Sequence, residues 1–136
     1  MKHVFADTGY WIALLSPRDE LHGKAQEVSA TIAGARIVTS DGVLTELLNS
    51  FAERGPRLRF VVSTAVAVLR ENPNVIVAPQ TRESFTKAFD LYCERTDKGW
   101  SMTDCSSFLI MRQYGIDAAL TCDRHFQQAG FDALLR

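Results

Sequence analysis

The stretch KHVFADTGYWIALL, residues 2–15, changes character at a single acid. Lys2 to Ala6 is short and apolar, as a buried strand requires, and Thr8 to Leu15 reads as a helix that stops before Ser16-Pro17. Asp7 stands at the junction. The same order returns near the other end in AALTCDRHF, residues 118–126: a strand over Ala118 to Cys122, then Asp123, then a short helix to Ala129 stopped at Gly130. Between them the spacing predicts a helix over Asp19 to Ile32 closed by Gly34, and a strand over Arg36 to Thr39. Ser40 or Asp41 is placed to cap a third helix, which carries Glu46. Arg57 to Glu71 reads as a helix stopped before Pro73, although Phe60, Val61 and Val62 also suit a strand. A strand over Val75 to Val77 precedes a helix over Glu83 to Arg95, a loop at Asp97 to Gly99, and a helix from Ser101 to Tyr114 ended by Gly115. Short apolar strands alternating with helices predict an α/β protein, three layers α/β/α around a mostly parallel, Rossmann-like sheet.

The bulk figures suit that reading. Residues 1–136 are enough for one domain with its own core, and 46% hydrophobic with 23% charged residues is an ordinary globular balance that excludes disorder as a description of the whole. The longest mostly apolar segment, Phe60 to Leu69, is far short of the ~20 residues of a spanning helix, so no membrane association is expected. Asp7 interrupts the apolar start and no small-residue cleavage site follows, so Met1 is expected to open the folded domain. Cys93, Cys105 and Cys122 have no C-x-x-C spacing and cannot all pair, which fits a reducing, cytoplasmic setting and argues against a disulfide framework or a zinc site.

Three acids stand at the start of helices: Asp7, Asp104 in GWSMTDCSSFL, and Asp123. Each suits a helix cap, and Ser101 with Asp104 has the S-x-x-D spacing of a capping-box variant. The fourth, Glu46, lies off the apolar stripe of Val43, Leu44, Leu47, Leu48 and Phe51, on a face that is either plain surface or the wall of an acidic cleft. Four carboxylates brought together repel one another unless a hard divalent cation sits among them. The net charge of -1 disfavours general affinity for nucleic acid, but neutralising those four leaves 15 basic residues against 12 acidic ones.

Asp7-Thr8 after the first strand, the T-E-L of Thr45 to Leu47, W-S-x-T-D-C from Trp100 to Cys105, and T-x-D-x-H-F from Thr121 to Phe126 followed by Q-x-G-F together resemble the PIN-domain family, especially its VapC-like ribonucleases. The similarity runs along essentially the whole chain and its C-terminal third is the most specific part. The resemblance implies a PIN fold in which Asp7, Glu46, Asp104 and Asp123 match the acidic quartet that binds Mg²⁺ or Mn²⁺ and hydrolyses RNA. It implies supporting hydroxyls at Thr8, Ser101, Thr103 and Thr121. It also implies, as partners, an RNA substrate, a cognate antitoxin protein and a second copy in a homodimer.

Asp97 is a further acid with a solvated loop as its simpler reading, and Trp100 suits either base stacking or packing. Arg54, Arg57, Arg59, Lys98 and Arg124 suit a phosphate path or a plain solvated face. His125 reads as a structural or substrate-contacting residue, and Cys105 and Cys122 as small buried hydrophobes. A catalytically silent PIN-like domain that binds RNA or protein is the main alternative. A Mg²⁺-binding phosphoreceiver is the weaker one, since the third strand runs into Val77, Ala78 and Pro79 with no acceptor Asp.

Overall fold

The computed structural model describes residues 2–136, so the expectation about Met1 concerns a residue outside those described. Five strands and seven helices follow in the order β1 (His3–Ala6), α1 (Thr8–Leu15), α2 (His22–Thr31), β2 (Arg36–Ser40), α3 (Asp41–Ser50), α4 (Pro56–Glu71), β3 (Val75–Ala78), α5 (Arg82–Glu94), α6 (Met102–Gln113), β4 (Ala118–Leu120), α7 (Arg124–Gln128) and β5 (Asp132–Ala133). All pairings are parallel and the strand order is β3-β2-β1-β4-β5. The chain therefore steps outward from β1 through β2 to β3, then crosses back to lay β4 against the other side of β1. Right-handed crossovers in opposite directions carry their helices to opposite faces of the sheet, which gives the three layers. The reversal falls between β1 and β4, where Phe5 pairs with Ala119 and Ala6 with Leu120. Beyond the carboxyl ends of two such strands the diverging crossovers open a crevice.

Local signals account for most boundaries. Ser40 caps α3 by accepting from the Val43 amide at 3.1 Å, and Pro56 opens α4 after Gly55, whose φ of 90° suits only glycine well. The ambiguous Arg57 to Glu71 segment is helical. Its apolar stripe buries Val62 and Val66 against the domain, an alignment that only the helical period provides. The second helix begins at His22, three residues later than its pattern suggests, because Asp19 instead makes a turn by accepting from the Leu21 amide at 2.9 Å. Strand β4 ends at Leu120, short of Cys122, because the Thr121 amide turns back to Ala119. Strand β5 has no sequence signal, since two residues carry no period; it exists through parallel pairing of Asp132 and Ala133 with β4.

Under the crevice the core is aromatic. Phe108 meets Trp100 edge-on with ring centroids 4.9 Å apart and Phe126 likewise at 5.0 Å, and Phe5 and Phe126 are fully buried beside them. That cluster ties the N-terminal end of α6 and the start of α7 to β1, the three places from which Asp104, Asp123 and Asp7 project.

Candidate active site

Asp7, Thr8, Glu46, Ser101, Asp104, Thr121, Asp123 and His125 line one cavity of about 460 Å³ at the crevice between β1 and β4, with Gly9, Leu21, Gly99 and Cys122 completing the wall. All four acids singled out from the sequence are therefore neighbours, although they lie up to 116 positions apart. Thr8, Ser101 and Thr121 join them. Thr103 does not: it faces a separate small cavity with Gly42, Gln80 and Phe85, about 100° around α6 from the neighbouring Asp104.

Each acid reaches the cavity by a different route. Asp7 occupies the N-cap position of α1 yet makes no capping bond with its side chain, whose Oδ2 instead accepts from Thr121 Oγ1 at 2.9 Å. Glu46 extends from α3, and its Oε1 accepts from Thr8 Oγ1 at 2.6 Å, so its face of the helix is a cleft wall and not open surface. Asp104 forms the capping box with Ser101, each side chain accepting from the other's amide, at 3.1 and 3.0 Å. The same Asp104 Oδ2 lies 2.9 Å from His125 Nδ1. Capping and membership of the acidic cluster are thus compatible at Asp104, because the cap uses one oxygen and leaves the other. Asp123 caps α7 by accepting from the His125 amide at 2.8 Å.

The electrostatics match the crowding. Burial pushes the Asp7 carboxyl up from 3.8 to about 6; the Thr121 hydroxyl pulls the other way, and the charges of Asp104 and Glu46 add to the rise. Asp104 is raised too, chiefly by burial and further by Asp123, against the hydrogen bonds from the Ser101 amide and His125. Neither acid would hold its charge comfortably without a cation nearby. Ligand atoms of Asp104, Asp123 and His125 lie within 4.8 Å of one another, a spacing a single ion can span. Oxygen-rich donors of this kind suit a hard divalent cation.

Of the remaining sequence candidates, Asp97, Trp100 and Cys105 fall outside the cavity. Asp97 is exposed and held by Arg95 through two hydrogen bonds of 3.0 Å, which draw its carboxyl down to about 2. Trp100 is buried: its ring packs on Phe108, Arg95 lies over it at 4.7 Å, and its Nε1 donates to Gln128, so no face remains for a base. Cys105 is buried as expected, whereas Cys122 is exposed at the cavity wall. His125, read from sequence as a structural or substrate-contacting residue, lines the cavity with its Nδ1 2.9 Å from Asp104.

A family model described as PIN domain matches residues 4–132. The chain is 31% identical over 129 residues to the 23S rRNA-specific endonuclease VapC20 of Mycobacterium tuberculosis, in strains CDC 1551 / Oshkosh and H37Rv alike, an overlap covering 94% of this chain and 95% of the relative. The crystal structure of Mycobacterium tuberculosis VapC20, described as a Sarcin-Ricin loop cleaving toxin, superposes with a TM-score of 0.84 at 29% identity, over 94% of this chain and 95% of that one. The chain belongs to the PIN-domain family, as a VapC-like member.

Proposed function

We propose that this chain is a VapC-like endoribonuclease that uses Mg²⁺ or Mn²⁺ to hydrolyse RNA phosphodiester bonds, with residues 1–136 acting as one nuclease domain in the cytoplasm. The observation that carries the reading is the convergence of Asp7, Glu46, Asp104 and Asp123 on one cavity at the β1/β4 reversal. In this reading those four side chains are the catalytic and metal-holding residues. Thr8 and Thr121 hold Glu46 and Asp7 by their hydroxyls, and Ser101 holds Asp104 through its amide and fixes the helix end. The cation, when bound, polarises a phosphate oxygen, makes a water more acidic and offsets charge on the leaving oxygen. The cation requires no covalent nucleophile from the protein, so water serves as the attacking group, and in-line attack with the outcome the family resemblance implies leaves a 5′-phosphate and a 3′-hydroxyl. A silent RNA-binding domain would have no need of four crowded acids with two carboxyls pushed upward.

The similar proteins are named for 23S rRNA, so large-subunit ribosomal RNA and short RNAs folded into its loops are the substrates to test first. Incubated with Mg²⁺ or Mn²⁺, the purified chain should cut such RNA, and EDTA should stop it. Cutting that continues undiminished in EDTA would overturn the metal-dependent reading.

Two apolar surfaces support the protein partners implied by the family. On α5, Phe85, Phe89 and Tyr92 are each about half exposed and lie along one face at helical spacing, and on α4 Phe60 and Val68 are more exposed still. We assign the α5 stripe to a homodimer and the α4 surface to an antitoxin. Phe89→Glu should then shift the chain to a monomer in analytical ultracentrifugation; an unchanged sedimentation coefficient would remove α5 from the dimer contact. No helix among the described residues is long and apolar enough to cross a membrane.

A further inference from the structure

Hydrogen bonds engage one oxygen of every acid in the cavity: Asp7 Oδ2 from Thr121, Glu46 Oε1 from Thr8, Asp104 Oδ2 from the Ser101 amide, and Asp123 Oδ1 from the His125 amide. Each of these four donors serves a single carboxylate. The imidazole of His125 is different, because its Nδ1 lies 2.9 Å from Asp104 Oδ2 and 3.3 Å from Asp123 Oδ1, between acids brought by two different elements. With Asp104 ionised, as a bound cation would keep it, the carboxylate only accepts and the hydrogen sits on Nδ1. The opposite edge of the ring faces the loop before Trp100, where a Cβ built on Gly99 would come within 3.8 Å of Nε2. Nδ1 is therefore committed to its acceptor Asp104, with Asp123 alongside, while Nε2 lies beside Gly99.

We propose that His125 is a positioning residue for the cation site, whose Nδ1–H holds Asp104 and whose amide holds Asp123, leaving one oxygen of each free for the ion. This rests on the metal-dependent reading above and deepens it. A carboxylate with one oxygen held in this way presents the other singly, the mode that suits a small octahedral ion better than a large one wanting both oxygens of a carboxylate. The ring also sets the distance between two acids that repel each other, so that the spacing exists before the ion arrives. Donors behind ligands characteristically tune affinity in this manner, and losing one weakens metal binding about 10- to 100-fold.

The test compares His125→Asn, His125→Gln and His125→Ala in the full chain, since an Asn amide nitrogen falls near the place of Nδ1 and a Gln amide nitrogen near that of Nε2. Mn²⁺ affinity is read by calorimetry, the ion's surroundings by pulsed electron paramagnetic resonance, and folding by melts in EDTA. His125→Asn should bind Mn²⁺ close to wild type, whereas the Gln and Ala variants should bind it about 10- to 100-fold more weakly while still melting cooperatively. The wild-type spectrum should carry no coupling from a directly bound imidazole nitrogen. Equal affinity in all four proteins, an Asn variant as weak as Ala, or a bound-nitrogen coupling in wild type would each overturn the positioning role. A wild-type chain that binds no Mn²⁺ at all would instead overturn the metal-dependent reading beneath it.

Discussion

Asp7→Asn should lower RNA cleavage roughly 10³-fold, because a metal's stabilisation of transition-state charge is worth several kcal/mol and each 1.36 kcal/mol is a factor of ten in rate. The substitution keeps the shape of the side chain and an oxygen that can still accept from Thr121, so the loss isolates the charge. Asp7 is the informative choice among the four acids, since it makes no capping bond whose loss could be confused with the loss of a metal ligand. Single-turnover cleavage of a folded RNA with saturating Mn²⁺ measures it. An Asn variant that keeps even a tenth of wild-type activity would remove Asp7 from the catalytic set.

The same variant should be more stable than wild type when no cation is present. The folded-state carboxyl of Asp7 is raised from 3.8 to about 6, so the unfolded chain gives up this proton at a lower pH than the native one. Below the unfolded value both states hold the proton and Asp7 has no net effect. As pH rises through the interval to the folded value, stability falls, and above it the full penalty remains. At 1.36 kcal/mol per unit the penalty is at most about 3 kcal/mol, and solvent reaching this half-buried group reduces it. In EDTA at pH 7, Asp7→Asn should therefore melt several degrees above wild type, and the gap should close as pH is lowered toward 4. Adding Mn²⁺ should reverse the order, because an ion that binds only the native state raises the melting temperature of the protein that can hold it. A variant that melts lower than wild type in EDTA, or gains as much from Mn²⁺, would mean that Asp7 is an ordinary structural acid.

The upward pressure on Asp7 and Asp104 and the helix ends at which they sit belong to one arrangement. A helix N-terminus favours negative charge, and amides and hydroxyls hold one oxygen of each carboxylate. These contacts order the acids without discharging them; in the proposed function a cation completes the balance. The choice between a cap and a ligand at Asp104, an either-or when read in the chain, is not forced by the structure, because the cap engages Oδ2 and leaves Oδ1.

Most elements were legible because their causes are local. An apolar run over Val4 to Ala6 before Asp7, a Ser40 placed to cap, a Pro56 after Gly55 and a Gly115 with φ of 65° each act within a few residues, so period and punctuation expose them. The four acids could be singled out as well, three of them beside a strand or helix end and Glu46 mid-helix through its T-E-L match, and all four line one cavity. What lay beyond local reading was which side chains meet. Thr121 reaches Asp7 across 114 positions, and Thr8 reaches Glu46 across 38, only because β4 and β2 flank β1. Strand order follows from the hand of the crossovers and from which buried faces fit, and these are properties of the whole chain. For the same reason the tertiary structure, and not the motif, turned Thr103 away from the acids, closed Trp100 within the core, gave β5 its partner and set the His125 ring between Asp104 and Asp123.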